Sequence, residues 1–214
     1  MMSPYWPLRG LRLVIGQLEL RLPDHADLQA LAALAFAGVH DPEVQPFAVP
    51  WTDAEPAARA LGTMQYHWSC WGSWSPESWS LNLVAVREGT VLGTQEIGAR
   101  NFAVMREVST GSWLGRQHQG AGVGTQMRAA VLALAFDGLG ARYATSGAFA
   151  GNAASLAVSR KLGYADDGFE RHLIRGRPEH MQRLRLDRQS WQTHRTSQVT
   201  IEGLDPCLPL FGLS

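Results

Sequence analysis

Three glycines at alternate positions, Gly120, Gly122 and Gly124, stand directly before a helical stretch that runs on through Met127-Arg128-Ala129-Ala130-Val131-Leu132. Glycine has no Cβ, so its backbone amide can come close to a ligand. The start of a helix adds unpaired N–H groups and the positive end of the helix dipole. Together they predict an anion site, with a pyrophosphate as the expected ligand and a plain structural turn as the alternative. A Walker A loop is excluded, because Gly124 is followed by Thr125 with no lysine between glycine and hydroxyl. The spacing is Gly-x-Gly-x-Gly and lies past the middle of the chain. It therefore does not fit the dinucleotide fingerprint, which needs Gly-x-Gly-x-x-Gly after a first strand.

A second motif follows at Asn152-Ala153-Ala154-Ser155 and ends in Lys161-Leu162-Gly163-Tyr164. Leu156, Val158 and Leu162 give it an apolar helical face, and Gly163 stops it. Asn152 has the side chain of an N-cap. Taken singly, Asn152 and Ser155 are explained by capping and a helix hydroxyl. Taken in order, Gln119-Gly120-Ala121-Gly122-Val123-Gly124 and the Asn152–Tyr164 segment resemble the coenzyme A loop and the Asn-x-x-Ser signature of the GNAT acyltransferases, RimJ/RimL-type branch. The resemblance covers most of the chain to about residue 190. It is closer still to a mycobacterial member of that family described as a succinyl-CoA-dependent transferase. That match is carried by Gly38-Val39-His40-Asp41-Pro42, Val49-Pro50-Trp51-Thr52, Gly111-Ser112-Trp113-Leu114-Gly115, Met127–Leu132 and Pro209-Leu210-Phe211-Gly212.

The resemblance implies a site, position by position. Ser112, Trp113, Leu114 and Gly115 would pair with the pantetheine arm of acetyl-CoA or succinyl-CoA. The amides of Gln119, Gly120, Ala121, Gly122, Val123, Gly124 and Thr125 would hold its pyrophosphate. Asn152 would hydrogen-bond the arm, and Ser155 would approach the thioester sulfur and protonate or solvate the thiolate. The family's frequent tyrosine acid falls at Ser159, so it is absent here. The reaction implied is direct attack of a neutral amine on the thioester, and its proton needs a base. Glu107, which shares a strand face with Ser109, and Glu96 on the preceding strand are the base candidates. A solvated strand carboxylate is the alternative for each. His40 and Asp41 could meet the acceptor, although Asp41-Pro42 is also ordinary turn chemistry. A succinyl carboxylate would need a cation, and Arg100 is the candidate, with a surface arginine as the alternative.

The expected activity is N-acyl transfer to a primary amine of a small molecule or a protein. A catalytically silent acyl-CoA-binding module is the competing expectation. With 19 acidic and 19 basic residues the net charge is zero. That argues against a nucleic-acid partner, since phosphate backbones select basic surfaces. No apolar run reaches the ~20 residues of a membrane helix, and no secretory signal starts the chain. Two cysteines make no disulfide framework, and the histidines show no metal-ligand spacing, so a cytoplasmic protein with no metal is expected.

These motifs need a scaffold. Alternation predicts a strand over 17–22, a hairpin of 80–86 with 91–97, and further strands at 108–114, 142–147, 166–174, 180–187 and 199–202. Apolar helices are expected over 24–38, 53–71 (capped by Thr52), 122–137 and 152–162, with a short one near Trp191. The order is that of one α/β (α+β) domain with a mixed central sheet flanked by helices, as the GNAT resemblance implies. Residues 1–16 read as an N-terminal extension. The apolar tail, 203–214, is expected to pack on its own domain or on the partner in a homo-oligomer. Trp51, Trp68, Trp71, Trp74 and Trp79 are either an aromatic core or an acceptor-side surface.

Overall fold

A computed structural model of the chain describes residues 4–195 and 197–213. Alternating apolar residues in Arg12–Ile15 (β1) and Leu18–Arg21 (β2) bury Leu13, Ile15, Leu18 and Leu20, and the two strands form a hairpin. The expected N-terminal extension thus contributes a strand to the sheet. It also lies beside Thr200–Glu202, the last strand of the chain. Helix α1 (His25–Ala37) starts at a reciprocal cap. Asp24 accepts from the Asp27 amide at 2.8 Å, and Asp27 accepts from the Asp24 amide at 3.1 Å. Asp27 also binds Arg21 at 2.7 Å, which ties the end of β2 to α1.

Helix α2 (Pro56–Gly72) begins with Pro56, whose missing N–H costs nothing in a first turn. Thr52 is not its cap. It sits in a separate turn, Trp51–Asp53, and its hydroxyl meets His40 Nε2 at 2.7 Å. The long hairpin β3 (Ser78–Arg87) and β4 (Thr90–Arg100) follows. One turn of helix, α3 (Phe102–Met105), leads into β5 (Glu107–Leu114). Helix α4 (Val123–Ala133) continues into a wider turn, Leu134–Gly138. Then come β6 (Tyr143–Phe149), α5 (Ala153–Lys161), the hairpin β7 (Ala165–Ile174) and β8 (Arg177–Asp187), α6 (Arg188–His194) and β9 (Thr200–Glu202).

The strands form one sheet in the order β7-β8-β6-β5-β4-β3-β2-β1-β9. The pair β5–β6 is parallel and the other pairs are antiparallel. A parallel pair needs a crossover, and α4 supplies it. Val123, Met127, Ala130 and Leu134 of that crossover pack into the main core with Leu13, Leu81, Ile97 and Val108. Leu28 and Leu31 of α1 cover Val84 and Val86 on the opposite face.

The tryptophans divide. Trp74 and Trp79 stack at 5.9 Å and meet Phe211 at 5.7 and 4.8 Å. The indole of Trp74 donates to the Leu210 carbonyl at 2.8 Å. The apolar tail therefore packs on its own domain, with Cys207 and Phe211 fully buried. Trp51 leaves this cluster and joins the site described next.

Candidate active site

The site is built where β5 and β6 part. Their register runs only from Glu107↔Tyr143 to Ser109↔Thr145. Beyond it, β6 stays with β8 to Phe149, and β5 stays with β4 to Leu114. The edge of β5 from Gly111 to Leu114 that faces away from β4 is thus left without a strand partner. Ser112, Trp113 and Leu114, the expected pantetheine residues, lie along that edge. Gly115 closes the strand by donating its amide to the Leu92 carbonyl at 2.9 Å. A Cβ there would stand 2.8 Å from Leu34 Cδ2, so β5 ends in close contact with α1.

The glycine loop follows at once. Gly120 and Gly122 have φ of +78° and +76°, a region L side chains rarely adopt. This geometry turns the chain so that α4 starts at Val123 with no side-chain cap. Among the described residues the amides of Gly120, Ala121, Gly122, Val123 and Gly124 find no acceptor. Five free donors in a turn at a helix N-terminus fit a pyrophosphate. The ends of the expected set behave differently. The Gln119 amide donates to the Arg116 carbonyl at 3.3 Å, and the Thr125 amide donates to Gly122 at 3.1 Å, so neither is a free donor. The Gln119 side chain instead braces the scaffold, donating to Val39 at 2.7 Å and Leu114 at 3.0 Å.

Asn152 Oδ1 accepts the Ser155 amide at 3.1 Å, which caps α5. Its Nδ2 has no partner among the described residues and remains a donor. Ser155 is half-buried in the first turn of α5. Ser159 is fully buried, with no partner for its hydroxyl among the described residues.

Cross-strand pairing puts Glu96 opposite Gly111, just past the point of divergence. A Cβ on Gly111 would stand 3.6 Å from Glu96 Oε2, and one on Gly98 would stand 3.6 Å from Oε1. Both neighbours being glycine leaves the carboxylate a clear floor. Among the described residues it is held by hydroxyls alone: Ser80 Oγ donates to Oε1 at 2.8 Å, and Tyr66 of α2 donates to Oε2 at 3.2 Å. Burial, and then the Glu96 charge, push the Tyr66 phenol above its ordinary range, so it stays a protonated donor. A cavity of about 240 Å³ opens beside this group, lined by Cys70, Ser73, Trp79, Glu96 and Ser109 among others. Arg100 lies at its rim, exposed at the end of β4.

Glu107 shares the α2 side of the sheet but is already partnered. Arg185 of β8 donates to it at 2.8 Å and binds Asp167 at 3.1 Å. An ion-paired carboxylate is a poorer proton acceptor than one held by hydroxyls. His40 and Asp41 are built into their loop: His40 Nδ1 faces the Asp41 carbonyl at 2.8 Å, and Asp41 Oδ1 accepts the Glu43 amide at 3.0 Å. An aromatic run, His40–Phe47–Trp51–Trp113, with ring centroids 5.7, 5.3 and 5.7 Å apart, carries this loop over the end of β5. A depression of about 460 Å³ lies between the loop and the tip of the β7–β8 hairpin, with His40, Asp53, Arg59, Arg116 and Arg175 on its walls. Arg175 binds Asp53 and holds that carboxyl below the usual range.

The residue missed from sequence is Arg128. It projects from α4 on the other side of the sheet, is 3% exposed, and donates to Ser146 Oγ at 3.0 Å.

No helix among the described residues is long and apolar enough to cross a membrane. The same architecture occurs in solved structures. A Mycobacterium smegmatis RimJ in complex with CoA-disulfide superposes with a TM-score of 0.71 at 16% identity, covering 95% of both chains. RimL, a ribosomal L7/L12 α-N-protein acetyltransferase in complex with coenzyme A, gives 0.65 at 17% identity, over 80% of this chain and 94% of that one. A chimera of the Vibrio cholerae spermidine N-acetyltransferase SpeG gives 0.65 at 15% identity, over 83% and 99%. Residues 17–165 match the family described as the acetyltransferase (GNAT) domain. That span runs from β2 through the glycine loop to the end of α5, and the chain belongs to the GNAT acetyltransferase family.

Proposed function

We propose that the protein transfers an acyl group from an acyl-CoA thioester to a primary amine by direct attack, with Glu96 as the proton acceptor. The observation that carries this reading is the Glu96 carboxylate, free of any cationic partner among the described residues, standing over Gly111 where β5 and β6 part. The free amides of Gly120 to Gly124 suit the pyrophosphate, and the unpaired edge of β5 suits the amides of the pantetheine arm. That edge ends at Gly111, so a thioester at the end of the arm would meet Glu96 from across the sheet. The amine nitrogen attacks the carbonyl carbon and gives its proton to Glu96. The C–S bond then breaks, and the thiolate takes up a proton, with Ser155 as its hydrogen-bond donor.

Acetyl and succinyl groups are the donors that this reading admits. The named neighbours act on a protein α-amine and on spermidine, so a peptide N-terminus and a polyamine are the first acceptors to try. Cytoplasmic location belongs to the same reading, because acyl-CoA is an intracellular thioester and Cys70 and Cys207 are free thiols. One observation favours the silent acyl-CoA-binding module: Ser159 is sealed in the core, so the family's tyrosine acid has no replacement at that position. A thiol-release assay separates the two. Amine-dependent release of CoA supports transfer, and tight donor binding without release for any amine supports the silent module.

A further inference from the structure

The cavity beside Glu96 carries a charge at each end. Glu96, Gly98 and Arg100 are alternate residues of β4, so they share one face of the strand. All three line the cavity of about 240 Å³, with Cys70 and Ser73 of the α2 region across from them. From Glu96 to Arg100 is about 13 Å along an extended strand. Between them the floor is bare. Gly98 is flanked by Ser80 of β3 and Ser109 of β5, which also line the cavity. A Cβ on Gly98 would stand 3.6 Å from Glu96 Oε1 and 3.7 Å from Ser109 Oγ, so a larger side chain there would fill the passage from the acid to the arginine.

Neither charge is used up by the fold. Glu96 accepts only from the hydroxyls of Ser80 and Tyr66 among the described residues. Arg100 is exposed at the rim, and its side chain makes no hydrogen bond or ion pair among the described residues. Of the residues that line the cavity, Glu96 is the acid and Arg100 the cation. A primary amine that gives its proton to Glu96 therefore has its far end beside a guanidinium. A carboxylate at that end meets a planar fork of N–H donors. A second ammonium, as in a polyamine, meets a like charge.

We propose that Arg100 selects the acceptor, so that the preferred substrate is a primary amine carrying a carboxylate several bonds away and a polyamine is disfavoured. This rests on the proposed transfer with Glu96 as proton acceptor. Aminocaproate, hexylamine and hexanediamine share one chain length and differ only at the far end, so they isolate the charge. Their affinities for the CoA-bound protein, measured by NMR titration, need no turnover. Aminocaproate is expected to bind about threefold tighter than hexylamine and about tenfold tighter than hexanediamine, the modest scale of a charge contact at an open rim. Added salt should shrink these ratios. Arg100→Gln should level the three affinities and Arg100→Glu should reverse their order, and the exposed strand end tolerates both changes. Equal affinities in the wild type, no binding of any of the three, or an order unchanged in Arg100→Glu would overturn the proposal. The carboxylate comes either from a small amino acid or from an acidic side chain beside a peptide N-terminus. C-terminally amidated tripeptides with glutamate or lysine in second place, titrated alongside, tell the sources apart. A glutamate preference that is lost in Arg100→Gln assigns a peptide, and discrimination confined to aminocaproate assigns a small amino acid. Failure of the proposed transfer has a different signature, which is the expected order of affinities with no amine-dependent thiol release.

Discussion

The two faces of the sheet at the β5–β6 fork carry opposite charges in similar dress. On the α2 side Glu96 is held by the hydroxyls of Ser80 and Tyr66, and on the α4 side Arg128 donates to that of Ser146. Among the described residues neither meets an opposite charge. Charges that served the fold alone would be expected to meet in an ion pair, as Glu107 and Arg185 do a few residues away. Hydroxyls solvate a charge without cancelling it, so Glu96 keeps its capacity to act on a ligand.

The comparison can be broken one face at a time. The largest effect should come from Glu96→Gln, which keeps the shape and removes the proposed base. General base catalysis contributes about 10²–10⁴ in rate, so kcat/KM for the amine should fall by that order while calorimetric CoA binding stays put. A fall confined to donor binding would move Glu96 out of the acceptor side.

His67 of α2 supplies the contrast of a group whose surroundings refuse a charge. It is 1% exposed, Nδ1 has no partner among the described residues, and burial holds its pKa down to about 4 from 6.5. Between those values the unfolded imidazole takes up a proton and the folded one does not. Stability should therefore drop as pH falls from 6.5 toward 4, by up to about 3 kcal/mol. Urea midpoints measured across that window for wild type and His67→Phe check this, with a flatter profile expected for the variant.

On the donor side, Gly122→Val places a β-branched residue at φ +76° in the open loop, where nothing lies within 4 Å to clash. CoA affinity should weaken about a hundredfold, near 3 kcal/mol, with the far-UV dichroism of the fold retained. Unchanged affinity would reduce the loop to a structural turn. The smallest effect expected is that of Tyr66→Phe, which strips one hydroxyl from Glu96 and should cost kcat about fivefold, as for one hydrogen bond of about 1 kcal/mol.

Much of this was legible in the sequence, and the failures have physical reasons. The glycine loop, the Asn152 cap and the β3–β4 hairpin are local, so their residues announce them. What sets Glu96 and Glu107 apart is not local. It depends on Arg185, which reaches Glu107 from a strand far along the chain. Thr52 reads as a cap because hydroxyls usually are, but its oxygen was taken by His40 from across the loop. The first strand, Arg12–Ile15, was missed because four residues carry too little alternation to stand out. Arg128 was given no role of its own. The signal of its burial was present: Ala129-Ala130-Val131-Leu132-Ala133-Leu134-Ala135-Phe136 is apolar all round, and such a helix has no water face to offer. The tryptophans split because cluster membership is a matter of three-dimensional neighbours. Trp74 and Trp79 pair with the tail, and Trp51 pairs with Trp113.

The most direct test of the account is thiol release from acyl-CoA, followed with a primary amine present and absent, for wild type and Glu96→Gln side by side. The account predicts amine-dependent release by the wild type and its near loss in the variant, with donor binding equal in both. Donor binding without release for any amine, or a fully active Glu96→Gln, would contradict it.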